Sequence, residues 1–207
     1  RGDKPASWVY SANTAVQIYN ILKGISLPNN EVWGANALSS DLPTSWWATQ
    51  MDICDSAVSD GQGGQEPQFQ TGLEVFTDDE PFTVIEQLLK CCNGKLIELG
   101  GTWRLRVGLP ELPSLFITDE DIIADENREY MPFPAPDSVY NGITAMYPDP
   151  NSLWETQEAP PKYNLAWETE DGNRRLLAAL TLPATSRVSQ VIRVMDALIK
   201  DHRRFRR

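Results

Sequence analysis

One histidine, His202, and three cysteines, Cys54, Cys91 and Cys92, are all that the chain holds of the two residue types on which most nucleophilic and metal chemistry relies. A single imidazole, set among Arg203, Arg204, Arg206 and Arg207, argues against histidine-based catalytic triads. It reads instead as a solvated helix-end cation interacting with the last carbonyls. Three cysteines, two of them adjacent, make no disulfide framework and lack the spacing of zinc ligands, so they read as buried thiols of a chain assembled in a reducing compartment. No apolar run approaches the roughly 20 residues that cross a bilayer, and the opening RGDKPASWVY has no secretory apolar region. The expectation is a soluble, unexported chain with no membrane insertion by this segment. Gly61-Gln62-Gly63-Gly64 lacks the lysine and following helix of a phosphate-cradling loop, and no acidic cluster follows the calcium-loop pattern. No cofactor or metal is expected.

Positive charge is scarce too. The 207 residues carry 18 Lys and Arg against 29 Asp and Glu, for a net charge of −11. Seven of the cations fall in the last 21 residues, leaving a strongly acidic body. Solubility accounts for such a surface, and an acidic face also repels nucleic-acid phosphate. No specific nucleic-acid binding is expected, because the terminal RRFRR reads as a helix tail. Arg1-Gly2-Asp3 resembles an integrin-binding triplet, but a tripeptide is common by chance. With no initiating Met, the chain reads as an excised fragment.

What is present is best organised from Phe69 to Gly108. FQTGLEVF (Phe69 to Phe76) alternates apolar and polar residues and predicts a half-buried strand. Thr77-Asp78-Asp79-Glu80 has capping-box order and predicts a helix start. Phe82, Ile85, Leu88, Leu89 and Cys92 then form one helical stripe, with Gly94 as a left-handed stop. Leu96, Ile97 and Leu99, the pair Gly100-Gly101, and the alternation of Trp103, Leu105 and Val107 with polar residues predict a tight hairpin.

Around this unit, Ser11 to Gly24 predicts an apolar-faced helix, and the segment from Pro43 predicts a second one bearing Trp46, Trp47, Met51, Cys54 and Val58. Asp60 to Gln68 has no periodicity and reads as a mobile connection. LPELPSLFI (109–117) suggests a sheet edge, Thr118 to Ile123 a capped helical turn, and MPFPAPDS (131–138) an extended stretch. Val139 to Tyr147 and Tyr163 to Thr169 predict strands separated by a loop from Pro148 to Pro161. Ser186 to about Arg204 predicts an amphipathic helix with Val188, Val191, Ile192, Met195, Leu198 and Ile199 on one face. The fold class is α+β, mainly an antiparallel sheet with helices packed at the amino-terminal part, centre and carboxy terminus. The organisation reads as a helical segment over 1–60, a Gly/Gln-rich connection over 61–68 and an α+β domain over 69–207.

In this order, the helix Val84 to Gly94, the KLIELGGTWRLRVG hairpin, the Thr118 to Ile123 turn and the YNGITAMYPDP segment (Tyr140 to Pro150) resemble the tail-tip attachment protein J family. These are the host-specificity or hub proteins of lambda-like long-tailed phages. The likeness extends more faintly to the first and last helices. It implies a non-enzymatic virion component at the tail tip, assembled in the bacterial host cytoplasm, that serves tail assembly, host recognition and DNA delivery. It also implies a homotrimer in the full-length protein, contact with other tail-tip and tail-tube proteins, and a host receptor met through regions outside this fragment. No catalytic residue follows from it.

Two other readings stay open. Paired carboxylates from Asp78-Asp79-Glu80, Asp119-Glu120-Asp121 or Asp125-Glu126 would suit a tail-associated glycan hydrolase, although capping and solvation explain them. Seven tryptophans suggest a carbohydrate-binding module. Trp46, Trp47 and Trp154 are the candidates for interface or ligand stacking. Adjacent helical residues diverge, so one of Trp46 and Trp47 is expected in the core. Trp103 is expected to be core.

Overall fold

The computed structural model describes residues 9–28, 30–108, 116, 118–121 and 139–205. The readings of Arg1-Gly2-Asp3 and MPFPAPDS, and most of that of LPELPSLFI, lie outside the described residues.

Helix α1 (Thr14–Lys23) starts where the Asn13 side chain accepts from the Val16 N–H, and ends at Gly24, whose φ of 90° a side chain would oppose. A short antiparallel pair, β1 (Ile25–Ser26) and β2 (Val32–Trp33), leads to α2 (Thr44–Asp55). As expected, α1 and α2 are helices, but Val58 lies beyond α2. It belongs to a hairpin of β3 (Ala57–Ser59) and β4 (Gln65–Pro67), where the sequence reads as an unpatterned connection. The Asp60 carboxylate closes its turn by accepting from the Gln62 and Gly64 N–H groups. An Asx-type turn needs no apolar periodicity, so the pattern passes over it.

The strand predicted over Phe69 to Phe76 does not form within this chain. Gln70 makes an isolated bridge with Asn13, Thr71 N donates to Ala12 O and Gly72 N to Ala184 O. The helix that follows, α3 (Pro81–Cys91), begins at Glu80 with Pro81 in its first turn, not with a capping box at Thr77. Its stop also differs from expectation. Asn93, not Gly94, takes the left-handed φ (46°), while Gly94 N donates to Leu89 O and Asn93 N to Lys90 O in a Schellman arrangement. Gly94 is needed for space, because a Cβ there would sit 2.7 Å from the Cys92 sulfur.

The predicted hairpin is present as β5 (Lys95–Leu99) and β6 (Thr102–Arg106), with Leu99 opposite Thr102. Gly100 and Gly101 both have positive φ, 60° and 76°, as a type I′ turn demands. Thr118 caps a single 3₁₀ turn, Asp119–Asp121, through its bonds with the Asp121 carboxylate.

The largest sheet centres on β7 (Gly142–Asp149), which pairs antiparallel with β8 (Glu155–Glu158) and β9 (Lys162–Tyr163). The loop expected from Pro148 to Pro161 therefore contains a strand. The strand expected over Tyr163 to Thr169 is mostly helix α4 (Leu165–Glu170), because the Asn164 side chain accepts from the Ala166 and Trp167 N–H groups and nucleates a turn. The strand β10 (Leu177–Thr181) joins the far side of β7 in parallel, with Leu177 opposite Gly142. Helix α5 (Val188–Phe205) closes the chain.

The fold is α+β, and one apolar core runs through it. Ile18 and Leu22 of α1, Trp47 and Cys54 of α2, Ile85 and Leu88 of α3, Leu105 of β6, Ala145 of β7 and Met195 of α5 all belong to it. Gln190 is buried among them, donating to Cys91 O and accepting from Gln70 N, so α5 is tied to α3 and to the 69–76 segment. Among the described residues, no helix is long and apolar enough to cross a membrane.

Candidate functional site

The segment Gln70 to Thr77 separates two concave surfaces. On one side lies an apolar cleft of about 440 Å³, walled by Ile21, Trp33, Leu73, Val75, Phe76 and Leu88. The Trp33 indole N–H donates to Asp79 O at 3.0 Å, bracing the β1–β2 pair against the turn before α3 and fixing the mouth of this cleft. On the other side, a more polar cleft of about 530 Å³ gathers Tyr10, Gln70, Glu74, Trp154, Ser186 and Arg187. Tyr10 borders both.

Trp154 stands at the tip between β7 and β8. The Asp149 carboxylate builds that tip by accepting from the Asn151 N–H, the Asn151 side-chain amide and the Ser152 hydroxyl. Trp154 N then donates to Asp149 O. Leu153 and Trp154 both adopt left-handed backbone, φ 55° and 65°, which is costly for residues bearing a Cβ. They are 89% and 65% exposed. A strained turn that holds two large apolar side chains in water presents a preformed contact surface.

The other two candidate tryptophans are spent on packing the hairpin. Trp47 is 1% exposed, its ring edge set against Tyr19 at 5.4 Å, and its indole N–H donates to Trp103 O. Trp46 is half-buried; its indole N–H donates to Leu105 O at 2.5 Å and Arg104 lies over its ring. Gln50, one turn on, accepts from Val107 N at 3.0 Å. Three side chains of α2, Trp46, Trp47 and Gln50, thus cover the outer edge of β6. Trp103 itself is only half-buried, leaning on Phe82 at the core margin.

Several ionisable groups are likewise engaged. Glu66 of β4 accepts from Arg187, Ser189 and Arg193, clamping the β3–β4 hairpin to the start of α5. Partial burial works to raise its pKa, but the Ser189 and Arg193 hydrogen bonds and the two guanidinium charges outweigh it and hold the carboxyl below its ordinary value. At the other end of α5, Arg203 pairs with Glu170 and Asp171, while Asp171 also accepts from the Asn141 amide. His202 is not the solvated end residue expected: its ring stacks on Tyr140 at 3.8 Å and its Nε2 accepts from Tyr140 N. Helix α5 runs back along β7, which brings this end onto folded structure.

Cys54, Cys91 and Cys92 are all buried and free. Burial pushes the Cys54 thiol up to about 11 and the Cys91 thiol to about 12, and raises Cys92 well above its ordinary value. Such thiols are poor nucleophiles at neutral pH. Among the described residues, no three His, Cys, Asp or Glu side chains converge as metal ligands would.

The sequence pointed to Trp154 by residue type alone. It missed Tyr10, the Glu66 clamp and the buried Gln190. The Asp149-Pro150-Asn151-Ser152 run is a turn signal that would have marked the Trp154 tip. Compared with known proteins, the chain matches no curated protein. Residues 80–207, more than half of the chain, match the family Phage-tail_3, described as putative phage tail protein, and the chain belongs to that phage tail family.

Proposed function

We propose that the chain forms part of the tail tip of a long-tailed phage or prophage, within a hub or host-attachment protein of the J kind, and works without catalysis in tail assembly, host recognition and DNA delivery. The observation that carries this reading is the order of framework elements inside the family match: α3 with its Schellman end, the Gly100-Gly101 hairpin, the Thr118 turn and strand β7. The J-family proteins that the sequence resembles have these elements in the same order. The ionisable side chains support a mechanical role, since Glu66, Asp149, Asp171 and Arg203 are occupied in holding elements together. In this reading, copies of the chain, three in the complete protein, surround the tail axis in contact with tube and tip proteins. The virion is assembled in the host cytoplasm, and receptor contact falls to regions beyond this segment.

Gold-labelled antibody against the chain, viewed on virions by electron microscopy, tests the placement. Label at the tail end far from the head is expected. Label along the tube, or none on the virion, would overturn the reading. Breakdown of host-envelope polysaccharide by the purified chain would overturn its non-catalytic part and favour the glycan hydrolase.

A second reading, contact with a surface carbohydrate, is favoured by one observation: the exposed Trp154 ring borders a cleft with Tyr10, Glu74 and Arg187. Quenching of tryptophan fluorescence by host polysaccharide, lost in Trp154→Ala, is the expected sign. Equal quenching in the variant would exclude Trp154 as the stacking ring.

A further inference from the structure

The β5–β6 hairpin has two edges that are treated differently. On β6, the carbonyls of Trp103 and Leu105 leave the sheet and are taken by the Trp47 and Trp46 indoles, and Val107 N is taken by Gln50. Because Trp103 faces Glu98 and Leu105 faces Leu96, those two pairs are the non-hydrogen-bonded ones. The backbone groups of Glu98 and Leu96 therefore point off the opposite edge. Among the described residues, no strand or side chain takes them up there. An uncovered strand edge is a template for another strand.

The solvent face of this hairpin is cationic and partly apolar. Lys95 opposite Arg106, Ile97 opposite Arg104, and Leu99 opposite Thr102 put three cations and two apolar residues on one face, in a chain of net charge −11. Ile97 is 57% exposed and Leu99 68%.

The same chain holds a segment suited to that edge. Leu73, Glu74 and Val75 have strand-like alternation, yet their backbone groups find no partner strand among the described residues. Val75 is 38% and Phe76 59% exposed. Glu74, and Asp78, Asp79 and Glu80 just beyond, give the segment the charge opposite to that of Lys95 and Arg104.

We propose that the Leu73–Val75 segment of one copy adds as a strand to the open β5 edge of a second copy. The contact is heterologous, so repeating it produces a ring where the rotation closes and a filament where it does not. It deepens the self-assembly in the proposed function by naming the surfaces involved. A chain that assembled through other surfaces would leave the tail role standing and remove this contact alone.

Glu98→Pro removes an N–H that points off the free edge and spares every bond to β6. Glu74→Pro disables the other side. Sedimentation velocity of the whole chain is expected to show concentration-dependent assembly, with the dissociation constant raised at least tenfold in each variant. An equimolar mixture of the two variants is expected to form dimers and nothing larger, because each retains the surface its partner lacks. Circular dichroism verifies the fold, and Ile97→Glu, which leaves the backbone intact and sets a carboxylate against an acidic segment, is expected to weaken assembly in the same direction. A wild-type chain that stays monomeric at millimolar concentration would overturn the proposal. So would Glu98→Pro assembling like wild type, or Glu74→Pro remaining assembled while Glu98→Pro does not, since the last pattern means β5 pairs with β5.

Discussion

The two hairpins β3–β4 and β5–β6 are docked on one core by opposite means. The β5–β6 hairpin sinks Leu105 and Val107 into apolar surroundings and covers one edge with indoles. The β3–β4 hairpin buries no large apolar side chain and is held by a carboxylate shared between two arginines and a serine. Apolar docking is non-directional and tolerates small shifts, whereas the charged clamp depends on protonation and on each partner remaining in place.

If that contrast is right, breaking the apolar dock costs most. Trp47→Ala leaves a cavity where an almost fully buried indole sat and orphans the Trp103 carbonyl, so a loss of about 3 to 5 kcal/mol is expected in urea unfolding. A loss below about 1 kcal/mol would mean the hairpin is held chiefly by its own ladder. Glu66→Gln comes next. It leaves Arg187 and Arg193 facing a neutral amide in a partly buried setting, and about 1 to 3 kcal/mol is expected, with faster amide exchange in β3–β4 than in β5–β6.

The clamp also carries a pH signature. Since the Glu66 carboxyl is held below its ordinary 4.5, its contribution is complete above that value and is lost as pH falls through the lower folded-state pKa. The stability gap between wild type and Glu66→Gln is expected to close in that acid range, read from urea midpoints along a pH series. A constant gap would exclude the ion pairs as its source. The smallest effect belongs to Gly101→Ala, where φ is 76° with open space beside it. Only backbone strain is incurred, about 1 to 2 kcal/mol.

The same contrast explains how much was legible in the sequence. Helices α1, α3 and α5 and the β5–β6 hairpin bury apolar stripes, and apolar periodicity is what a sequence displays. The β3–β4 hairpin rests on an Asp60 turn that carries no apolar periodicity and on Glu66, whose Arg193 partner lies 127 residues away, so no apolar pattern announces it. Strand β10 is a short apolar run with no alternation to distinguish it, and α4 depends on one asparagine cap. The 69–76 segment shows the reverse case, a strand pattern with no strand in a single copy. Of the candidate site, residue type singled out Trp154. The turn that strains it outward, and the approach of Tyr10 from the other end of the chain, follow from tertiary packing.

The three caged sulfurs give the protein a chemical clock. A folded copy can sit in air or among oxidants for long periods without crosslinking, because its thiols are out of reach and reluctant to ionise. Uptake of an alkylating reagent by Cys54, Cys91 or Cys92 therefore times how often the interior opens, with no label added and no residue changed.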